Sequence, residues 1–456
     1  MDLFSADNLW KVALAGTFLL GLIFAILRNP KAALIAIGGM IFLASLGLAK
    51  EAGKSTDFRT WLLPLQERRN ILCAGCALLA ALAVFAHSYR VNLRQTPFLG
   101  WVYLLQGITM GTINILHGEI SGGGLVGGMM AIAFAITISG SLILYYSVVL
   151  KDWDDYLSVV RTIAFGGLLW TLGCTVQFFI NHKILTTGAA GRFTGLSANP
   201  QHAAGLSAVI SMVAIWLTMN DPKKRLKPLW LFVVGTHILF IMWSGSRTGA
   251  LCALVGYAAI LYARLGRTIL LMPVAVAVIA GLVMFASDQG VKFGFDRLTS
   301  TDDTRSVAWA TLIQTGLRNP VIGVGAMEAG ASENGFLYGF ASYGFLIPIL
   351  LFAQLCISGY LCLMLIRARV GAGEFQKRLA DLCIGFFCTY WLGNMAEGYG
   401  IARMSPQVVL FLTFACLSSG ALYMMRQEAH AASFDAPEAL PDLSDGTDYS
   451  WYGRSA

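Results

Sequence analysis

Apolar runs of about 17–25 residues recur along this chain, each as long as a helix needs to be to cross a bilayer core. In lipid, an unpaired backbone N–H or C=O is so costly that such segments fold as helices, which satisfy every backbone group internally. The runs lie near 9–27, 31–49, 70–88, 98–116, 126–150, 157–180, 203–219, 229–243, 249–263, 268–287, 336–365, 380–396 and 406–425. They predict an all-α polytopic membrane protein of about 12–13 transmembrane helices. The weakest are 98–116, which carries Gln106 and Asn114, and 229–243, which is short. Glycine is frequent inside the runs, as close helix–helix contact in membranes requires. The first run has no basic stretch before it and no small-residue cleavage site, so it is expected to stay as the first helix.

A net charge of +7 would suit a nucleic-acid partner, but the basic residues sit mostly in short connectors, where they report topology, and no nucleic acid is expected. All nine cysteines lie in apolar segments, and Cys73 and Cys76 have no partnering Cys or His cluster. Packing is therefore their expected use, and neither a metal nor a cofactor is expected. The glycine-rich stretch 121–128 has no strand before it and no Walker lysine after it, so it does not read as a nucleotide site.

Short loops rich in Lys and Arg stay cytoplasmic. Four fit: Lys223–Arg225 with Lys227, Arg264 with Arg267, the group Arg367, Arg369, Lys377 and Arg378, and Arg426. Alternation then puts loops 181–202, 244–248, 288–335 and 397–405 on the opposite side. Residues 50–69, with Lys50, Lys54, Arg59, Arg68 and Arg69, conflict with this count, which points to a mis-assigned N-terminal segment. Within 288–335, the amphipathic stretch 307–313, the turn Asn319-Pro320 and Gly323-Val324-Gly325 predict a small helical cap. The acidic, polar stretch 427–456 is expected to be a disordered cytoplasmic tail.

The outer loops hold the conspicuous residues. Arg192 stands in Gly191-Arg192-Phe193-Thr194-Gly195, Arg247 in Ser244-Gly245-Ser246-Arg247, and Arg305 after Asp302-Asp303-Thr304. A charge near the hydrocarbon costs roughly 2.5–3.5 kcal/mol even on a lenient scale, so such residues usually line a wet cavity or meet a charged ligand. A guanidinium fork suits phosphate, to which it can donate two hydrogen bonds. Each arginine also has a structural reading: Arg192 and Arg247 could bond helix-terminal carbonyls or pair with a carboxylate, and Arg305 could follow an Asp302 or Asp303 helix cap. Asp302-Asp303 as a divalent-ion site lacks further acidic ligands nearby. Glu397 and Arg403 either orient substrate or pair with each other. His182 and Lys183 flank the Arg192 motif and are candidates for phosphate or sugar contact, with interfacial snorkelling as the alternative.

Taken together, Arg192 through Asn199-Pro200, Trp243 through Ala250, and Arg305 through Gly323-Val324-Gly325 to Glu333-Asn334-Gly335 resemble the O-antigen ligase and Wzy-type polysaccharide polymerase superfamily, over about 180–350. The resemblance implies a metal-independent GT-C-type glycosyltransferase of the bacterial inner membrane, its active site facing the periplasm. It implies N-terminal transmembrane helices over 1–180 and a ligase/polymerase-like core over 181–425. The implied donor is an undecaprenyl-diphosphate-linked glycan, the acceptor a second lipid-linked glycan or lipid A-core, and a chain-length regulator a possible further partner. Arg192 and Arg247 would stabilise the departing diphosphate, with Arg305 and Asn334 beside the substrate. Most members place a His-Asn pair after the Gly-x-Gly turn. This chain has Ser332-Glu333-Asn334 there, so Glu333 is the expected general base. The missing His favours a polymerase of lipid-linked repeat units over a ligase to lipid A-core or a protein O-oligosaccharyltransferase. A lipid-linked glycan transporter could use the same arginines, but the chain has no convincing internal repeat.

Overall fold

A computed structural model describes residues 6–47, 60–118, 124–187, 191–197, 199–265, 305–330, 333–401 and 404–435. The helices are α1 (Ala6–Arg28), α2 (Leu34–Ala44), α3 (Leu63–Glu67), α4 (Arg69–Ala86), α5 (Phe98–His117), α6 (Gly124–Ala135), α7 (Ser141–Val149) and α8 (Trp153–Asn181). They continue as α9 (Pro200–Asn220), α10 (Lys227–Ser244), α11 (Arg247–Leu265), α12 (Arg305–Arg318), α13 (Gly335–Tyr343), α14 (Leu346–Ala368), α15 (Glu374–Ala396) and α16 (Pro406–Asp435). The strands β1 (Thr186–Thr187) and β2 (Arg192–Phe193) pair antiparallel. Among the described residues, eight helices are long and apolar enough to cross a membrane, with three shorter apolar ones beside them. This is an all-α, multi-pass membrane architecture. The expected span at 268–287 lies outside the described residues.

Burial sorts the helices into layers. α9 and α16 are buried almost throughout, whereas α4, α10 and α14 turn most of their apolar surface outward. Large side chains such as Phe85, Phe179 and Leu239 are exposed on that outer surface, as a lipid-facing ring demands. Small residues set the closest approach: a Cβ on Gly111 would lie 2.5 Å from Ile132, and one on Gly128 2.6 Å from the Gly111 carbonyl oxygen. The Gly107/Gly111 spacing thus brings α5 against α6. Gln106 inside α5 is matched by polar groups, donating to the Gly400 carbonyl at 2.7 Å and accepting from Gln354 at 2.5 Å.

Contacts at the helix ends define two faces. On one, Lys31 pairs with Asp155, Arg161 with Asp221 at 2.6 Å, and Trp153 donates to Glu428. This face carries Arg90, Lys223, Lys224, Arg225, Arg264, Arg369, Lys377 and Arg378, and is the basic face. On the other, Gly47 N–H donates to the Leu196 carbonyl, and Arg69 and Asn70 share a cavity with Ser197, His202 and Gly398. The start of α4 therefore belongs with the conspicuous arginines. Residues 60–69 thus lie where alternation through the spans puts them, while Lys50, Lys54 and Arg59 lie outside the described residues. Arg69 defies the charge bias because it is buried and its guanidinium donates to the Leu46 carbonyl.

The single run expected at 336–365 is two helices, divided at Gly344. Val324 and Gly325 donate backbone N–H groups to the Ala341 and Ser342 carbonyls at 2.8 and 3.0 Å, satisfying acceptors that the end of α13 leaves open. The Gly-x-Gly turn is therefore a cap for α13. Gly344 has φ +74°, and a Cβ there would lie 2.1 Å from the Val321 carbonyl oxygen. With ψ −173° this is a conformation essentially restricted to glycine, and holding another residue there costs about 1–3 kcal/mol. Gly344→Ala is expected to lower the unfolding temperature of the purified protein more than Gly359→Ala, whose added methyl meets nothing within 4 Å. Equal temperatures would show that 321–325 does not pack here. At the C-terminus, α16 runs on as helix through Asp435, into the stretch 427–456 expected to be disordered.

Candidate functional site

Phe193 places Arg192. It is fully buried, stacks on Phe240 at 4.3 Å and on Trp243 at 5.0 Å, and so pins the short hairpin to α10. Strand alternation turns Arg192 to the other side, where Nε donates to the Ser244 carbonyl at 2.8 Å. Ser244-Gly245-Ser246-Arg247 then makes a tight turn between two helices. Gly245 takes the left-handed conformation at φ +59° as the cap of α10, and Ser246 Oγ accepts from Gly249 N–H at 3.2 Å as the cap of α11. Arg247 is thereby the first residue of α11, and its side chain is exposed.

Arg305 arrives from the start of α12. Its guanidinium donates to Thr248 Oγ1 at 2.8 Å and reaches the buried Glu397 carboxylate at 3.3 Å. Glu397 caps the end of α15, so this pair ties α11, α12 and α15 together. Glu333 stands beside the start of α13. Asn334 caps that helix, its Oδ1 accepting from Phe336 and Leu337 N–H, while its Nδ2 donates to the Met395 carbonyl. Gly335 allows the close approach to α15, since a Cβ there would lie 2.3 Å from Asn394 Oδ1. One buried oxygen of Glu333, Oε2, has no hydrogen-bond partner among the described residues.

These pieces converge. Arg192, Arg247, Arg305, Glu333 and Glu397 line one cleft together with Gln201 and Thr248. Gln201, Arg247 and Arg305 lie within the first turns of α9, α11 and α12, so three positive helix ends meet three guanidiniums around two carboxylates. The arrangement favours an anion, and Glu333 supplies a proton acceptor beside it. The cleft encloses only about 30 Å³, room for one or two waters, so a larger ligand is met at its mouth.

A larger chamber of about 530 Å³ adjoins it on the same face. Gln201 and Glu397 line the cleft, and the next residues, His202 and Gly398, line the chamber. Tyr399 stands at this divide, its hydroxyl donating to the Gln201 carbonyl at 3.0 Å and its ring meeting His202 edge-on. Burial, reinforced by Glu397, pushes the Tyr399 phenol well above its ordinary range and keeps it a neutral donor. Tyr338, Tyr343, Asn199, Ser197 and Arg69 complete a polar and aromatic lining. α13 serves both spaces, with Glu333 preceding its first turn and Tyr338 one turn further on.

Of the residues singled out in sequence, the structure brings together Arg192, Arg247, Arg305, Glu333 and Glu397. Glu397 pairs with Arg305, whereas the sequence suggested Arg403, which lies outside the described residues along with Asp302 and Asp303. Asn334, expected beside the substrate, does not line the cleft: its side chain caps α13 and is engaged by backbone groups. His182 and Lys183 form an exposed turn after α8 and do not line the cleft; His182 packs against Phe178. Gln201 and Tyr338 were missed. Asn199-Pro200 marks a helix start, which puts Gln201 at the positive end, but nothing in the sequence pairs α13 with the chamber. No family model matches the chain, and no curated protein matches it.

Proposed function

We propose that this protein is a membrane glycosyltransferase that polymerises undecaprenyl-diphosphate-linked repeat units for an exopolysaccharide, capsule or O antigen. The observation that carries the reading is the cleft itself, lined by three guanidiniums and by a glutamate whose buried oxygen lacks a partner among the described residues. In the reaction the acceptor hydroxyl attacks the anomeric carbon, the bond to the lipid diphosphate breaks with its electron pair, and Glu333 takes the hydroxyl proton. Arg247 and Arg192 meet the charge that develops on the diphosphate, in a setting where fixed dipoles need not reorganise. Glu397 holds Arg305 beside them, and the chamber offers polar and aromatic surfaces to the acceptor sugar.

The positive-inside rule makes the basic face cytoplasmic and the arginine face periplasmic in a bacterial inner membrane. Exposed Asn70 and Lys183 on the arginine face and exposed Lys224 on the basic face serve as labelling positions. In a cysteine-depleted background, Asn70→Cys and Lys183→Cys are expected to react with an impermeant thiol reagent applied outside, and Lys224→Cys only after permeabilisation. The reverse pattern inverts the orientation. A ligase to lipid A-core is the second reading, less favoured because Glu333 stands where the resembled family has His. Deletion in the native host separates the two: single repeat units on the lipid indicate a polymerase, long chains on the lipid a ligase. An unchanged glycan profile would remove both.

A further inference from the structure

The basic face holds a cavity of about 310 Å³ between the ends of α9, α11 and α15. Four cations meet two carboxylates around it. Arg369 pairs with Asp381 at 2.9 Å, and Lys377 and Arg378 share Glu374 at 3.6 and 3.3 Å. Arg264 has no carboxylate within ion-pair distance among the described residues, its guanidinium reaching only the Met219 carbonyl at 3.4 Å. The floor is apolar, formed by Trp216 and Ile260, with the Trp216 indole donating to the Arg378 carbonyl.

Topology alone does not account for this arrangement. The exposed Lys223, Lys224 and Arg225 already supply the loop charge that fixes orientation, whereas Arg369, Lys377 and Arg378 are half-buried around a concave space. The cavity lies at the helix ends, where a bilayer crossed by these helices would carry its headgroups, and exposed Leu363 and Ile366 of α14, shortly before Arg369, offer apolar surface for acyl chains. We propose that it binds a phosphate group of net negative charge, supplied at this depth by the headgroup of an anionic phospholipid. The three helices that form it present Gln201, Arg247 and Glu397 at their opposite ends, so the bound lipid clamps the helices that build the arginine cleft. The inference does not depend on which reaction the cleft performs.

The test uses delipidated full-length protein in mixed micelles, titrated with phosphatidylglycerol, with phosphatidylcholine or with inorganic phosphate, while the unfolding temperature is followed. Phosphatidylglycerol is expected to stabilise the wild type, and Arg264→Gln/Lys377→Gln to need roughly tenfold more lipid for the same effect. Lys223→Gln/Lys224→Gln, on the same face but away from the cavity, should titrate as wild type does. Inorganic phosphate reproducing the stabilisation, with the same loss in the cavity variant, keeps the phosphate site and makes its source soluble. Equal responses to phosphatidylglycerol and phosphatidylcholine, or a cavity variant that titrates like wild type, overturn the proposal. Counting retained lipids on each variant by native mass spectrometry gives a readout independent of folding stability.

Discussion

Arg247→Ala is expected to reduce transfer by about 10²–10³-fold, the usual effect of removing one preorganised charge from a site that stabilises a leaving group. The folding argument points the other way. Arg247 is the first residue of α11, where the helix dipole disfavours a cation, and its side chain is exposed. Alanine there should leave stability unchanged or slightly raised. The combination of lost turnover and retained stability distinguishes a ligand-binding arginine from a structural one. Arg192→Ala is a less clean probe, because it also removes the bond to the Ser244 carbonyl that holds the hairpin to the turn. Arg247→Lys should recover only part of the rate, since it keeps charge but loses the two-pronged donor. The measurement is turnover of purified protein in lipid with a defined undecaprenyl-diphosphate oligosaccharide, beside a thermal unfolding curve. Wild-type turnover in the alanine variant removes Arg247 from the site; a fall in turnover matched by loss of folded protein makes it structural.

Much of the fold was legible because lipid leaves few alternatives: a long apolar run must be a helix, and Asn-Pro, Gly-Ser and Asn-Gly mark where helices begin. The turn at Gly245 and Ser246 follows from local chemistry, one residue needed for its left-handed backbone and the next for its hydroxyl. The break at Gly344 was not legible. Its cause is the Val321 carbonyl arriving from a distant loop, and one glycine in an apolar run carries no sign of that approach. The position of Arg69 was obscured for a related reason, since a charge count treats every basic residue as solvated and Arg69 is buried against the Leu46 carbonyl. At the site, the arginines stood out as charges in apolar company. Their partners did not, because the link between Arg305 and Glu397 spans 92 residues and depends on how α12 packs.

Glu333→Gln carries the largest expected loss, about 10²–10⁴-fold in turnover, the range over which a positioned base contributes. The substitution keeps the side chain's shape and removes its basicity. Glu333 Oε2 is buried without a hydrogen-bond partner among the described residues, an arrangement that costs stability unless a substrate donor arrives to use it. The residue is half-buried and shares its cleft with three guanidiniums, so the amide gives up some attraction there, and thermal stability is expected to change far less than turnover. The helix start beside it should survive, because Asn334 makes the cap with its own side chain. Lipid-linked donor affinity should change little, since the arginines bind the diphosphate, and the loss should fall on kcat. Glu333→His, restoring the residue of the resembled family, should return part of the rate. If the Gln variant turns over as fast as wild type, Glu333 is not the base, and Glu397, the other carboxylate of the cleft, becomes the residue to test.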